Sequence, residues 1–268
     1  MNVALTIAGS DSGGGAGIQA DLKTFHQFGV FGTSAIVAIT AQNTLGVRSI
    51  HPVPEQAVVD QISAIAEDLP PDAVKTGMLA TAALVRLVAD AMRRYGWREY
   101  VLDPVMVATS GHRLLSAEAV VVVRDELLPL ARLVTPNLDE AELLVGFPVR
   151  DRQAMIGAGH ALLELGASAA LIKGGHLLGD TLFDLLVTPG EVVEFSHRRI
   201  IGGATHGTGC TLSAAVTAGL ATGKDLFGTV EQALDYVHRA IATAPQLGQG
   251  NGPLNHTVPA VEQDLGLY

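Results

Sequence analysis

The sequence predicts an α/β fold: a mostly parallel sheet with helices on both faces and an antiparallel hairpin at one edge. Three observations predict it. Short apolar runs alternate with longer helical patterns along the chain, as βαβ units require. Hydrophobic residues make up 48% of the composition and aromatics only 4%, which suits close helix–sheet packing. Two strand-like runs late in the chain are joined by Pro189-Gly190, a turn signal.

The elements follow in order. Residues 3–8 form an apolar run that stops at Gly9 and read as a strand. Residues 18–28 carry a helical pattern, and 34–40 form a second strand rich in Ile, Val and Ala. A helix over 55–68, a short strand over 73–75 and a helix over 82–94 come next. Then a strand over 100–103 precedes a helix over 117–127, and a strand over 133–135 precedes a helix over 138–145. Asn137 stands at the N-cap position of that last helix. A helix over 152–165 leads into a strand over 169–173, and 182–188 with 192–196 make the hairpin. Helices over 210–221 and 230–244 close the pattern.

The 268 residues suit one large domain, 1–268, with no internal repeat and no low-complexity linker. The formal charge is −10, and no basic run exceeds two residues, so a nucleic-acid surface is not expected. No stretch approaches the ~20 apolar residues of a membrane span. The N-terminus lacks a basic region before its short apolar run, so a cytoplasmic location is expected. One cysteine allows neither an internal disulfide nor a cysteine-based zinc site.

Ligands of open parallel sheets bind beyond the carboxyl ends of the strands. Six such ends here are polar or glycine-rich. They are the 9–17 loop, Gln42-Asn43, Lys75-Thr76-Gly77-Met78, Asp103-Pro104-Val105-Met106, Thr135-Pro136-Asn137 with Glu140, and Lys173-Gly174-Gly175-His176. The 9–17 loop fits no standard phosphate motif, because Leu22 stands where a P-loop needs its second glycine. Asp21 reads either as a helix-surface acid or as a functional group. Glu140 reads either as a first-turn acid that suits the helix dipole or as a carboxylate that holds Mg²⁺ through water.

The segment Thr205-His206-Gly207-Thr208-Gly209-Cys210-Thr211 carries the most chemistry. Glycines before a helix leave its first N–H groups bare for an anion. A thiol there is expected to have a stabilised thiolate and to act as a base near neutral pH. An anion hole beside such a base suits phosphoryl transfer to a hydroxyl. Taken alone, a lone cysteine reads as a small buried hydrophobe.

Seven ordered motifs carry a resemblance. They are Ala8–Asp11 with Gly14–Lys23, Thr40-Ala41-Gln42-Asn43-Thr44, Lys75–Leu79, Asp103–Met106, Thr135–Asn137 with Glu140, Lys173–His176, and His206–Thr211. Together they resemble the hydroxymethylpyrimidine/phosphomethylpyrimidine kinases of thiamine biosynthesis, which are ribokinase-like. The tail over 248–256 resembles that family's ending as well.

The resemblance implies a three-layer α/β/α fold, a homodimer, and two successive phosphorylations by Mg-ATP. The first acts on the hydroxymethyl group of 4-amino-5-hydroxymethyl-2-methylpyrimidine, the second on its monophosphate. It implies that Gln42 hydrogen-bonds the pyrimidine and that Asp21, Gly9, Ala16, Met78 and Val105 line its pocket. It places Cys210 where related sugar kinases carry a base, with Gly207, Thr208 and Gly209 as the anion hole. Glu140 would organise Mg²⁺. Lys173, Asn137, Asp103, Thr205 and His206 would face ATP and its phosphates. Thr109 stands where the family often has lysine, with Arg113 nearby as a substitute. Pyridoxine/pyridoxal kinase is the nearest alternative, and hydroxyethylthiazole kinase ranks lower for want of the 9–23 motif. A non-catalytic pyrimidine-binding regulator is the rival from a different class.

Overall fold

The computed structural model describes residues 1–106, 115–175, 181–200 and 204–261. Thr109, Arg113 and His176 lie outside the described residues.

Nine strands among the described residues form one sheet. They are β1 (Val3–Asp11), β2 (Phe31–Asn43), β3 (Gly46–Pro52), β4 (Ala73–Thr76), β5 (Tyr100–Leu102), β6 (Leu133–Val134), β7 (Ala170–Lys173), β8 (Thr181–Val187) and β9 (Val192–Arg198). Their order is β3-β2-β1-β4-β5-β6-β7-β8-β9. The pairs from β2 through β7 are parallel, whereas β2–β3, β7–β8 and β8–β9 are antiparallel. The chain leaves β1 towards β2 and then returns to β4 on the other side of β1. That reversal opens a crevice at the carboxyl ends of β1 and β4.

The helices are α1 (Gly17–Gln27), α2 (Glu55–Asp68), α3 (Ala82–Tyr95), α4 (Ala117–Val122), α5 (Leu138–Val145), α6 (Arg152–Glu164), α7 (Thr208–Ala221) and α8 (Leu226–Ala242). Strand side chains alternate between two cores, which gives the three layers. Leu5, Ile7, Tyr100 and Leu102 face the core made with α2–α6. Ala4, Val101, Leu133 and Leu171 face the core made with α1, α7 and α8.

β1, expected over 3–8, runs on to Asp11. β2 extends to Asn43, and β3 pairs with it as an antiparallel edge. The composition hid β3, because Arg48, His51 and Pro52 interrupt its apolar residues on an exposed edge. The helix expected over 117–127 ends at Val122 and continues as a wide π turn over Val123–Leu127. Pro129 then lacks the N–H that would prolong a regular helix.

α7 is buried on every side from Thr211 to Ala221, because α1, α8 and the sheet enclose it. Small side chains permit that closeness. At Gly219, a Cβ would come within 2.6 Å of Thr229. α7 is therefore anchored in the second core from Thr211 to Ala221.

Candidate active site

A cavity of about 880 Å³ lies along the carboxyl ends of the strands. Its wall includes Gly9, Ala16, Gln42, Met78 and Val105 at one end, and Asp103, Asn137, Glu140 and Lys173 at the other. Thr205, His206, Gly207, Thr208, Gly209 and Cys210 close it from the side of α7.

The wall is held by close backbone contacts. Gly207 has φ 86°, and a Cβ there would run into the carbonyl oxygen of Gly15. Gly17 has φ 56°, and a Cβ there would run into the carbonyl oxygen of Gly9. Both positions need glycine for conformation and for space.

The Asp11 carboxylate organises the 9–17 loop. It accepts from the N–H groups of Gly13 at 2.8 Å, Gly15 at 3.0 Å and Ala16 at 2.9 Å. His206 Nε2 lies 2.9 Å from its second oxygen. Burial alone would raise the Asp11 pKa, but the bonds from His206, Gly13 and Ala16 hold it below the usual value. This residue escaped the sequence reading. The signal was an Asp ahead of glycines, which bonds backbone N–H groups two residues on.

At the start of α7, Thr208 N–H bonds Thr205 O at 3.3 Å and Thr211 N–H bonds Gly207 O at 2.8 Å. Among the described residues, the N–H groups of Gly209 and Cys210 have no hydrogen-bond partner. Bare N–H groups at a helix start are suited to an anion, aided by the helix dipole. A Cβ on Gly209 would lie 3.3 Å from Lys173 Nζ, so the lysine stands directly before the helix end. Lys173 Nζ is 3.6 Å from Asp103 and 3.9 Å from Glu140. Burial would lower its pKa, but these carboxylates keep it raised and charged.

Asp103 also accepts from Ser213 Oγ at 3.1 Å and Thr135 Oγ1 at 3.4 Å. A carboxylate does not bind phosphate directly, so its part is to hold Lys173 and α7 in register. Asn137 and Glu140 form a capping box: Glu140 N–H donates to Asn137 Oδ1 and Asn137 N–H donates to Glu140 Oε2, both at 2.9 Å. The first-turn reading of Glu140 holds, and the capped carboxylate also lines the cavity. Burial pushes its pKa up to about 7, against the pull of Lys173.

Two expectations are corrected. Asp21 does not line the cavity: it is fully buried, 2.7 Å from Lys75 Nζ and 2.6 Å from Thr6 Oγ1. It is neither a surface acid nor a pocket wall, because α1 turns it under the sheet's edge towards β4. The Cys210 thiolate is not stabilised either. Burial pushes its pKa up to about 12, and the help from Lys75 is opposed by Asp21 and Asp103. Desolvation of this half-buried thiol outweighs the helix dipole.

The sequence reading also missed how the tail completes the wall. Asn251 N–H donates to Thr44 O at 2.9 Å, and Thr205 N–H donates to Asn251 Oδ1 at 3.0 Å. The 248–253 segment thus ties the β2–β3 turn to the entry of α7.

Bare N–H groups at a helix start, a fixed cation and a concave apolar end at a switch point are the features of a small-molecule kinase of the ribokinase-like class. The phosphomethylpyrimidine kinase family model matches residues 11–255, and the chain belongs to that family. A hydroxymethylpyrimidine/phosphomethylpyrimidine kinase of Rhizobium meliloti is 50% identical over 95% of this chain and 96% of its own. The structure of phosphomethylpyrimidine kinase from Clostridium difficile is 40% identical, with a TM-score of 0.81 over 90% of this chain and all of that one. The ADP complex of Bacillus subtilis pyridoxal kinase is 38% identical, with a TM-score of 0.90 over 96% and 97% of the two chains.

Proposed function

We propose that this kinase phosphorylates 4-amino-5-hydroxymethyl-2-methylpyrimidine with ATP and then phosphorylates the monophosphate to the diphosphate. The observation that carries it is the pairing of the apolar, Gln42-bearing end of the cavity with the Gly209–Cys210 anion hole. The family and the identity to pyrimidine kinases support it over the pyridoxine alternative.

Phosphoryl transfer asks for alignment and for stabilised charge on the moving oxygens. The N–H groups of Gly209 and Cys210 face the transferring group, and Lys173 supplies the cation beside them. Gly207 and Gly209 keep backbone close to it. Cys210 is a neutral thiol at rest and orients the acceptor hydroxyl rather than abstracting its proton beforehand. In the second step the acceptor phosphate is already largely ionised and needs no base.

Among the described residues, no group of three or more His, Cys, Asp or Glu is arranged to hold a metal ion. Mg²⁺ keeps most of its waters in such sites, so Glu140 and Asp103 fit it through water. When bound with ATP it neutralises phosphate charge.

The site residues act within one kinase domain, and two copies form a homodimer. Exposed Phe31, Ile39 and Leu45 on β2 and its turn are side chains that a second copy would cover. No described helix is long and apolar enough to cross a membrane. A cytoplasmic location agrees with that and is part of the proposal.

The test is ADP formation that depends on hydroxymethylpyrimidine, with the mono- and diphosphate products followed by mass spectrometry. Turnover of pyridoxine without turnover of the pyrimidine would reverse the assignment.

A further inference from the structure

His206 Nε2 lies 2.9 Å from Asp11 Oδ2 and 3.2 Å from the atom placed as the Gln42 amide nitrogen. These two contacts conflict. The Asp11 carboxylate already accepts three backbone N–H groups and only accepts, so the bond to it requires the proton on Nε2. A protonated ring nitrogen has no lone pair for an amide N–H. Which end of a Gln amide is oxygen follows from the hydrogen-bond network.

Exchanging the two ends of the Gln42 amide resolves the conflict. The oxygen then accepts from His206 Nε2–H, which it shares with Asp11. The nitrogen donates to Thr40 Oγ1, 3.3 Å away. Thr40 sends its own hydrogen to Ser10 O at 2.9 Å. The His206 Nε2–H, one Gln42 N–H and the Thr40 hydroxyl then each have an acceptor.

We propose that His206, held by Asp11, is a positioning residue that locks the Gln42 carboxamide with its oxygen towards α7 and its nitrogen towards Thr40, and so sets acceptor selectivity. This rests on the pyrimidine-kinase reading. The locked amide keeps one lone pair and one N–H for a ligand, side by side. Such an edge pairs with a ring nitrogen that has an exocyclic amino group beside it, as Gln pairs with adenine. A 4-aminopyrimidine has that edge. A pyridoxine ring carries no amino group next to its nitrogen.

Two measurements test it. The first is histidine tautomer NMR on the isotope-labelled full chain, with the His206 signal assigned by its loss in His206→Asn. The Nε2–H tautomer is expected, and a bare Nε2 would overturn the lock. The second is the ratio of kcat/KM for hydroxymethylpyrimidine to that for pyridoxine in His206→Gln and His206→Asn. Gln keeps an N–H where Nε2 stood and is expected to keep the ratio. Asn is too short and is expected to lower it about tenfold, mainly through the KM of the pyrimidine. Equal losses on both acceptors in both variants would mean a structural role only. A wild-type enzyme inactive on the pyrimidine would sink the functional reading, while the tautomer still judges the lock.

Discussion

The ammonium of Lys75 lies 2.7 Å from the carboxylate of Asp21, and neither side chain has any solvent exposure. Burial would strip the lysine of its proton, but Asp21 reverses that and keeps its pKa raised. The pair joins α1 to β4 directly beneath the crevice. Removing one partner strands a buried charge, whereas removing both does not. Lys75→Met is therefore expected to cost about 3–5 kcal/mol. Lys75→Met with Asp21→Asn is expected to regain most of it. Urea denaturation of the three proteins checks this, and equal losses in single and double variants would contradict it.

Cys210 carries the second expectation. A thiol with a pKa pushed up to about 12 offers almost no thiolate at neutral pH. Alkylation by iodoacetamide at about pH 7.5 is expected to run far slower than for a free thiol. Cys210→Ala is expected to slow the first phosphorylation more than the second, because only the first has a neutral hydroxyl to orient. Fast labelling of the native protein, or equal loss in both steps, refutes this account.

At the helix end, Gly207→Ala is expected to abolish the close contact with Gly15. The new Cβ collides with the Gly15 carbonyl, and φ 86° is strained for alanine. The expected loss in kcat/KM is about a hundredfold, the scale of a lost oxyanion donor. Gly190→Ala lies in an open turn, with nothing within 4 Å of the new Cβ, and serves as the control. Steady-state kinetics and a thermal melt separate a damaged site from a damaged fold.

Asp184 supplies a pH signature. It accepts from Gly174 N–H at 2.9 Å behind Lys173. Burial raises its carboxyl from 3.8 to about 6, although Gly174 and Lys173 pull it down. A raised acid holds its proton more tightly folded than unfolded. Its contribution is therefore present at low pH and is lost as pH climbs through about 6. Asp184→Asn keeps the acceptor without the charge. Its Tm relative to wild type is expected to rise between about pH 5 and pH 8, and a constant difference would refute the assignment.

Much of this was legible in the residues alone. Helices 55–68 and 138–145 stand where their periodicity put them, because caps and apolar spacing are local properties. Every expected site residue except Asp21 lines one cavity, because strand ends in a parallel sheet share an edge. The edge strand β3 was not legible, since its pairing with β2 rather than its own pattern makes it a strand. Asp11 was hidden for a similar reason: its partner His206 is 195 positions away.

By itself the sequence determined the alternation of strands and helices, the glycines at the anion hole and the family to which they belong. These depend on local spacing and residue type. Only the tertiary structure decided that Asp21 pairs with Lys75 below the site, that burial raises the Cys210 pKa, and that His206 stands beside both Asp11 and Gln42. Each of those depends on desolvation and on hydrogen-bond partners brought from distant parts of the chain, and no local pattern records them.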